Sequence, residues 1–443
     1  MTVAKECTLP EVRWRLFQLA WPSIISELST PLLGIVDTFV VGHLSEPRDL
    51  AGVALAVAVY SPLLFTFNFL RMGTGGVTAQ AFGAQDEREV LASAARGVAS
   101  GLLIGTALCL LRAPLAQLGF ALIHAPDPGT AARAEAYYRC RILGAPAALA
   151  NYAVQAWLLG VQRPGMALAA NLALNISNAG LCVLLGWVLN LGVVGVGTAT
   201  AVANYIALLL GLGLIYRASQ QLPWVKAHGT IGRRDIAIDW ATVFEGRKLA
   251  RLAVLNGHIL CRSLCLMFIT VDFTALSAGL GSVALAANSL LMQLQMLISY
   301  GADGFANAAE ALVGEAVGGA CARQVRVVIL AALQWGCALG VGFTLAYAVC
   351  GRSVLAALTS HVEVVNYATD YLPWQWAAPL LSVTAYLMDG VFVGATRPRE
   401  MCQATFLAMV IFLAVAHSRL GSNNWLWAAY LAHVVVRAAA LLC

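Results

Sequence analysis

The sequence predicts an all-α polytopic membrane protein, with twelve transmembrane helices in two six-helix bundles related by a pseudo-two-fold axis along the membrane normal. Composition is the first observation behind this. Of 443 residues, 60% are hydrophobic and 11% charged, with a mean hydropathy of +0.77, whereas about a quarter of a soluble domain is charged. Length is the second: twelve helices of about 20 apolar residues need about 240 in all, which leaves little for a separate folded domain. The third is an internal repeat, taken up below.

Apolar segments of helical length run over residues 16–41, 49–70, 90–111, 134–157, 165–187 and 193–216, and then over 249–273, 280–302, 324–349, 364–388, 400–417 and 422–441. Turn-forming clusters separate them, among them Gly160-Val-Gln-Arg-Pro-Gly165, Ala395-Thr-Arg-Pro-Arg399 and Gly421-Ser-Asn-Asn424. The first segment is too long for a cleavable signal peptide and holds Glu27 and Asp37, so it is expected to remain as a helix. With a cytoplasmic N-terminus, 19 of the 27 Lys and Arg fall on the inner side and 7, including Arg139 and Arg141, on the outer, with Arg262 inside a span. This asymmetry places both termini in the cytoplasm by the positive-inside rule. Residues 217–251 carry seven of the nineteen. The expected division is therefore an amino-terminal lobe over 1–216, a cytoplasmic linker over 217–248 and a carboxy-terminal lobe over 249–443.

The two halves resemble each other in corresponding places. Gly73-Thr-Gly-Gly76 and Thr78-Ala-Gln-Ala-Phe-Gly83 follow the second span, as Gly301-Ala-Asp-Gly304 and Ala308-Ala-Glu-Ala-Leu-Val-Gly314 follow the eighth. An even number of spans per half keeps both halves in one orientation, and a site is expected between or within them. The architecture is that of a transporter that opens alternately to two sides.

The polar residues inside this apolar frame are the candidate machinery, because an ionisable group at bilayer depth costs several kcal/mol and needs a partner or a role. Asp37 sits in Leu33-Gly-Ile-Val-Asp-Thr-Phe-Val-Val-Gly42. Burial favours its neutral form, which suits a residue that takes and releases protons; the plainer reading is a hydrogen-bonded structural acid. Pro31, six residues earlier, removes a helical hydrogen bond and marks either a hinge or a static kink. Asn171, Asn175, Asn178 and Cys182 share one face of the fifth helix, as a cavity wall or as a polar seam. Tyr152, Gln155 and Asn204 are candidates for the same lining. In the second half, His258 and Arg262 lie at i, i+4, with Asp303, Asn307, Glu310 and Asp389 nearby in the pattern. A salt bridge of Arg262 with Asp303 or Asp389 is the simplest account of that set. Val283 to Gly314 spans about 48 Å as helix, which puts Glu310 near the cytoplasmic interface; Glu27 belongs either to a cavity or near the inner interface.

Other classes are excluded by what the chain lacks. No basic run points to nucleic acid, and no HExxH, GxSxG, Walker lysine loop or DDxxD points to hydrolysis. The 11 cysteines include no CxxC and mostly lie in apolar stretches, so they read as small core residues without disulfide, metal or cofactor.

Five stretches resemble the multidrug and toxic compound extrusion (MATE) family, most closely its DNA-damage-inducible (DinF) branch: residues 19–26, 36–44, 69–84, 302–314 and 388–397. They cover nearly the whole chain in order. The resemblance implies twelve helices in two lobes in the bacterial inner (plasma) membrane, a monomer in contact with lipid, and export of small organic, often cationic, compounds against H+ or Na+. It implies that Asp37 is the cation-coupling acid of the amino-terminal lobe and that Asn178 is the Asn of the family's Asn-x-x-Leu-Asp pattern. Here that pattern reads Asn178-Ala-Gly-Leu-Cys182, and His258 stands in Leu255-Asn-Gly-His-Ile259 where relatives commonly have Asp. Loss of both acids favours protons over Na+. The alternatives are a Na+-coupled antiporter, a flippase for lipid-linked precursors, which needs a strongly cationic cavity, and a polytopic membrane enzyme, which needs catalytic acids or His at one interface.

Overall fold

The computed structural model describes residues 8–42, 47–123, 127–222, 239–419 and 421–442. In chain order the helices are α1 (Leu9–Gly42), α2 (Pro47–Phe65), α3 (Phe69–Gly83), α4 (Glu87–Leu110), α5 (Arg112–Leu122), α6 (Pro128–Arg141), α7 (Ala145–Gly160), α8 (Pro164–Leu181), α9 (Gly192–Ser219), α10 (Trp240–Val243), α11 (Gly246–Gly279), α12 (Ser282–Gly318), α13 (Ala322–Leu358), α14 (Val362–Asp370), α15 (Leu372–Gly394), α16 (Pro398–Ala416) and α17 (Asn423–Leu442). Joined where they continue one another, they form twelve segments long and apolar enough to cross a membrane. Large apolar side chains such as Leu103, Ile176, Leu209 and Val349 are exposed on them.

Local chemistry explains the boundaries. Asp86 caps α4 by accepting from Glu89 N at 3.1 Å. Asp127 caps α6 by accepting from Gly129 N and Thr130 N, and Pro128, Pro164 and Pro398 open their helices where no N–H is needed. Asp127 lies outside the spans, and these bonds, led by that from the Thr130 hydroxyl, hold its carboxyl below the usual carboxylate range. Segment four is α6 and α7 in series across a tight 3-10 turn at Ile142–Gly144, immediately after Arg141. Segment five ends in a π-helical turn, Cys182–Val188.

The glycine-rich stretch 73–83 is helical rather than a break after the second span: α2 and α3 form one segment, Arg48–Gly83. The small side chains are there for close packing. A Cβ on Gly160 would lie 3.0 Å from Gly75 O, and one on Gly97 would lie 2.8 Å from Thr74 Oγ1. Gly97, Gly101 and Gly105 line one edge of α4 at intervals of four. A Cβ at Gly101 would lie 2.6 Å from Ala150 N and one at Gly105 2.3 Å from Pro146 Cα, so α4 and α7 meet backbone to backbone, as small-xxx-small stripes allow.

The helices divide into two compact units, Leu28–Leu252 and Met1–Glu27 with Ala253–Cys443. The first unit takes α2 through α10. The second takes α11 from Ala253 on and all of α12 through α17, together with the start of α1, where the expected lobe boundary kept residues 1–216 together. Interactions within that second unit account for the difference. Arg15 pairs with Glu315 at 2.9 Å, Phe17 stacks on Trp335, Asn307 Nδ2 donates to Glu27 Oε1 at 3.1 Å, and Gly304 admits Ile24 against its backbone. Glu27 is thus a partner of α12. Of the expected linker, residues 223–238 lie outside the described residues.

In α9, Gly213 faces open space. Gly105→Ala is expected to lower the thermal stability of the detergent-solubilised protein by an overpacking cost of ~1–3 kcal/mol. Gly213→Ala is expected to leave it unchanged or raise it by up to ~1 kcal/mol. Equal melting temperatures for the two variants would refute the backbone contact of α4 with α7.

Candidate functional site

Asp37 is buried, 1% exposed, in the part of α1 that belongs to the unit Leu28–Leu252. Its carboxylate is fully engaged. Arg141 Nη1 lies 2.9 Å from Asp37 Oδ2, and the Tyr137 hydroxyl donates to the same oxygen at 2.9 Å. The Thr200 hydroxyl lies 3.2 Å from Oδ2 and 3.4 Å from Oδ1, and the Cys182 thiol points at Oδ1 from 3.4 Å. Arg141 also contacts the Tyr137 hydroxyl, and its guanidinium lies 4.8 Å from the centre of the Tyr60 ring, which spreads its charge over an aromatic face.

Four elements converge here, each for a local reason. Tyr137 and Arg141 are one turn apart at the end of α6, so both side chains face α1. Gly197 lets α9 close on α6, since a Cβ there would lie 2.9 Å from Tyr137 O; this brings Thr200, one turn on, to the acid. Trp187 Nε1 donates to Val40 O at 3.0 Å and tethers the π turn to α1. A π turn shifts the register of the side chains that follow it, and this one starts at Cys182, on Asp37.

Behind the acid, Asn178 is fully buried and donates from Nδ2 to Thr200 Oγ1 at 2.9 Å. Asn178 Oδ1 and Arg141 Nε are buried without a hydrogen-bond partner among the described residues. In front of it opens a cavity of about 990 Å³, lined by Asp37, Arg141, Tyr60, Thr200 and apolar residues such as Ile35, Val57 and Phe65. Among the described residues, Asp37 and Arg141 are the two charged side chains in its lining.

The structure brings most of the sequence candidates together. Tyr152, Gln155, Asn171, Asn175 and Asn204 line the cavity, as does Pro31 on α1. Asn171 Nδ2 and Asn175 Nδ2 donate to Ser29 Oγ and Ser29 O, at 3.2 and 3.1 Å, so this stripe also holds α8 to α1. Asn178 and Cys182 are not cavity wall, a correction to the expected lining. The helix turns them inward behind Thr200 and Asp37, where they meet the acid rather than the space in front of it.

In the other unit, Arg262 pairs with Asp389, as the simplest account of that set expects. Arg437 on α17 joins them, with Nη2 3.4 Å from Asp389 Oδ2 and the guanidinium 5.4 Å from the Tyr386 ring. Asp303 accepts from Ser299 at 3.3 Å one turn away, and His258 is half-buried. The ion-paired part of the expected network is Arg262 and Asp389, joined by Arg437.

Sequence reasoning missed Arg141, Tyr137, Tyr60, Thr200 and Arg437. Charge counting places Arg141 on the outer side, yet it lies thirteen residues into the segment Pro128–Gly160, about 20 Å along a helix. The available signal was the spacing: Tyr137 and Arg141 at i, i+4 share a face with apolar Ala134 and Ala145, whereas Arg139 falls on the exposed side.

The sequence profile of the MatE family matches residues 22–184 and 259–417. The chain is 35% identical to DNA damage-inducible protein F of Escherichia coli over 427 residues, covering 96% of this chain and 90% of that protein. It is 23% identical to the chloroplastic protein DETOXIFICATION 44 of Arabidopsis thaliana, over 87% of this chain and 73% of the relative. Among solved structures, the Vibrio cholerae MATE transporter VcmN in its bent form shares the fold with a TM-score of 0.84 at 18% identity, covering 98% and 96% of the two chains.

Removing one member of a buried ion pair costs about 3–5 kcal/mol because it strands the other charge. Asp37→Asn and Arg141→Gln are each expected to lower thermal stability markedly, and the double variant to recover most of that loss. A double variant no more stable than the worse single one would show that the two side chains are not paired.

Proposed function

The chain belongs to the MatE family of multidrug and toxin efflux transporters, and on that premise we propose that it exports small organic compounds in exchange for protons, with Asp37 as the coupling acid. It is a multi-pass membrane protein; the proposal places it in the bacterial inner membrane as a monomer with both termini in the cytoplasm.

The observation that carries proton coupling is the partner of Asp37. A guanidinium remains protonated at any physiological pH, so Arg141 at 2.9 Å is a permanent counter-charge. Na+ on the same carboxylate would sit beside a fixed cation and be repelled. A proton instead neutralises the acid and breaks the pair. Arg141 then keeps the Tyr60 ring and the Tyr137 hydroxyl, while the relay from Asp37 through Thr200 to Asn178 loses its anionic end. Loss of this tie between α1 and α6 is the local change to which an alternating movement of helices can be coupled.

The driving force is adequate. A proton crossing about 150 mV supplies about 3.5 kcal/mol, enough for a several-hundred-fold concentration ratio of a neutral solute. The cavity, lined by amides, aromatic rings and apolar side chains, suits organic solutes of drug size. The flippase alternative needs a strongly cationic cavity, and among the described residues this lining offers a single arginine already paired with Asp37.

Purified protein in liposomes, given separate pH and Na+ gradients and a panel of fluorescent cationic and neutral compounds, tests the reading. Export driven by the pH gradient and abolished in Asp37→Asn is expected; export driven by Na+ alone would overturn it. A second test uses Cys182. In Cys182→Asp a second acid stands beside Asp37, and like-charge repulsion makes the pair hold a proton to higher pH. The pH profile of export at constant driving gradient is expected to move to higher pH, and superimposable profiles would disconnect Cys182 from coupling.

A further inference from the structure

We infer that Cys261 on α11 and Cys402 on α16 form a site of reversible covalent modification, at which a small peroxide oxidises the two thiols to a disulfide that joins the two helices. The site lies wholly in the unit that contains Ala253–Cys443 and is independent of the coupling role proposed for Asp37.

Three thiols meet at this place. Cys261 and Cys265 are one turn apart on one face of α11, and Cys402 stands near the start of α16. The Cys261 thiol is in contact with the thiols of both Cys265 and Cys402, and all three cysteines are free. Two ties hold the surrounding helices. Arg262, next in sequence to Cys261, is paired with Asp389 on α15. Farther along the same two helices, His417 Nε2 at the end of α16 lies 3.0 Å from Asp272 Oδ2 on α11. The helices α11 and α16 therefore run side by side beyond the thiols as well as at them.

Geometry and exposure decide which bond forms. Cβ atoms four residues apart on a helix are about 5–6 Å from each other, whereas a disulfide needs about 3.5–4.5 Å, so Cys261 closes on Cys402 and not on Cys265. Among the described residues no three His, Cys, Asp or Glu side chains are placed to hold a metal ion, which leaves oxidation as the chemistry of this contact. Cys261 is exposed and Cys402 is buried, so Cys261 meets the oxidant first. Its sulfur attacks one oxygen of hydrogen peroxide, the O–O bond breaks, and the departing hydroxide takes the thiol proton to become water; Cys261 is left as a sulfenic acid. The Cys402 sulfur then attacks the Cys261 sulfur. The S–O bond breaks as the S–S bond forms, and the hydroxide leaves as a second water with the Cys402 proton. Two thiols and one peroxide thus give one disulfide and two waters. Because Cys402 is already in contact, this step runs at an effective concentration that a free thiol does not reach, ahead of further oxidation of Cys261. Exchange with an added thiol reverses it.

The test treats the purified full chain in non-ionic detergent with one equivalent of hydrogen peroxide, blocks the remaining thiols with N-ethylmaleimide and maps the products by peptide mass spectrometry. A peptide pair linked through Cys261 and Cys402 is expected as the main product, with two of the 11 thiols lost and both restored by dithiothreitol. Exposed Cys337 and Cys350 on α13 supply the comparison on the same chain and are expected to remain unlinked. In Cys402→Ser the linked pair is expected to vanish and Cys261 to be trapped as its sulfenic acid by dimedone, whereas Cys265→Ser is expected to keep the link. The map of the unmodified protein decides even if a variant does not fold. A main product that links Cys261 to Cys265, Cys261 oxidised to the sulfinic acid while Cys402 stays free, or linkage no faster than the oxidation of Cys337 and Cys350 overturns the inference.

Discussion

A carboxylate and a guanidinium held together in a buried position beside the cavity are the constraint around which the amino-terminal unit is arranged. Neither charge is tolerable alone in that position, since an unpaired buried charge costs several kcal/mol, and the fold supplies each with more than one contact. Asp37 receives Arg141, Tyr137, Thr200 and Cys182 from three different helical segments, while Arg141 also lies over Tyr60. Protonation of the carboxylate would change the contacts made to Asp37 itself while leaving Arg141 over Tyr60. The pair is therefore both a structural tie and a sensitive element, and the proposed exchange mechanism uses the second property at the expense of the first.

The rest of the unit serves to bring those groups into register. Glycines at 144 and 197 press α9 against the α6–α7 joint, and those at 97, 101 and 105 press α4 against α7. The π turn at 182–188 aims Cys182 and ties its own end to Val40. The carboxy-terminal unit repeats the theme with the charges exchanged. There the seventh membrane segment carries Arg262 and the tenth carries Asp389, whereas the first carries Asp37 and the fourth Arg141. A second arginine, Arg437 on the twelfth segment, adds a further charge to that pair. Each unit thus holds a buried ion pair between two of its membrane segments, with the acid and the arginine on opposite partners.

The twelve segments were legible because length and hydropathy are sufficient to identify them, and Asp37 was legible because a carboxyl among valines and isoleucines has few innocent explanations. The Cys182 position was also legible, as a departure from a pattern, and the structure puts its sulfur on Asp37. Arg141 was not read as a member of the site. It follows Glu135 and Arg139 in a stretch that looks like the edge of a loop, and only the fact that the helix starts at Pro128 puts it well inside the segment. Arg437, close to the carboxy terminus, looks like a cytoplasmic flank for the same reason. Charge counting assigns such residues to the nearest interface; helix length decides where they really are. Asn178 shows a different limit, since a shared helical face tells which residues are neighbours and not whether they meet a cavity or a buried partner.

The most direct measurement of the central claim is infrared difference spectroscopy of the purified protein during acidification, with Asp37→Asn as the reference. The account predicts a band of a newly protonated carboxyl that appears together with a change in the arginine guanidinium bands, both following one titration and both missing from the variant. A carboxyl band without any guanidinium change, or the same pair of signals persisting in Asp37→Asn, would contradict it.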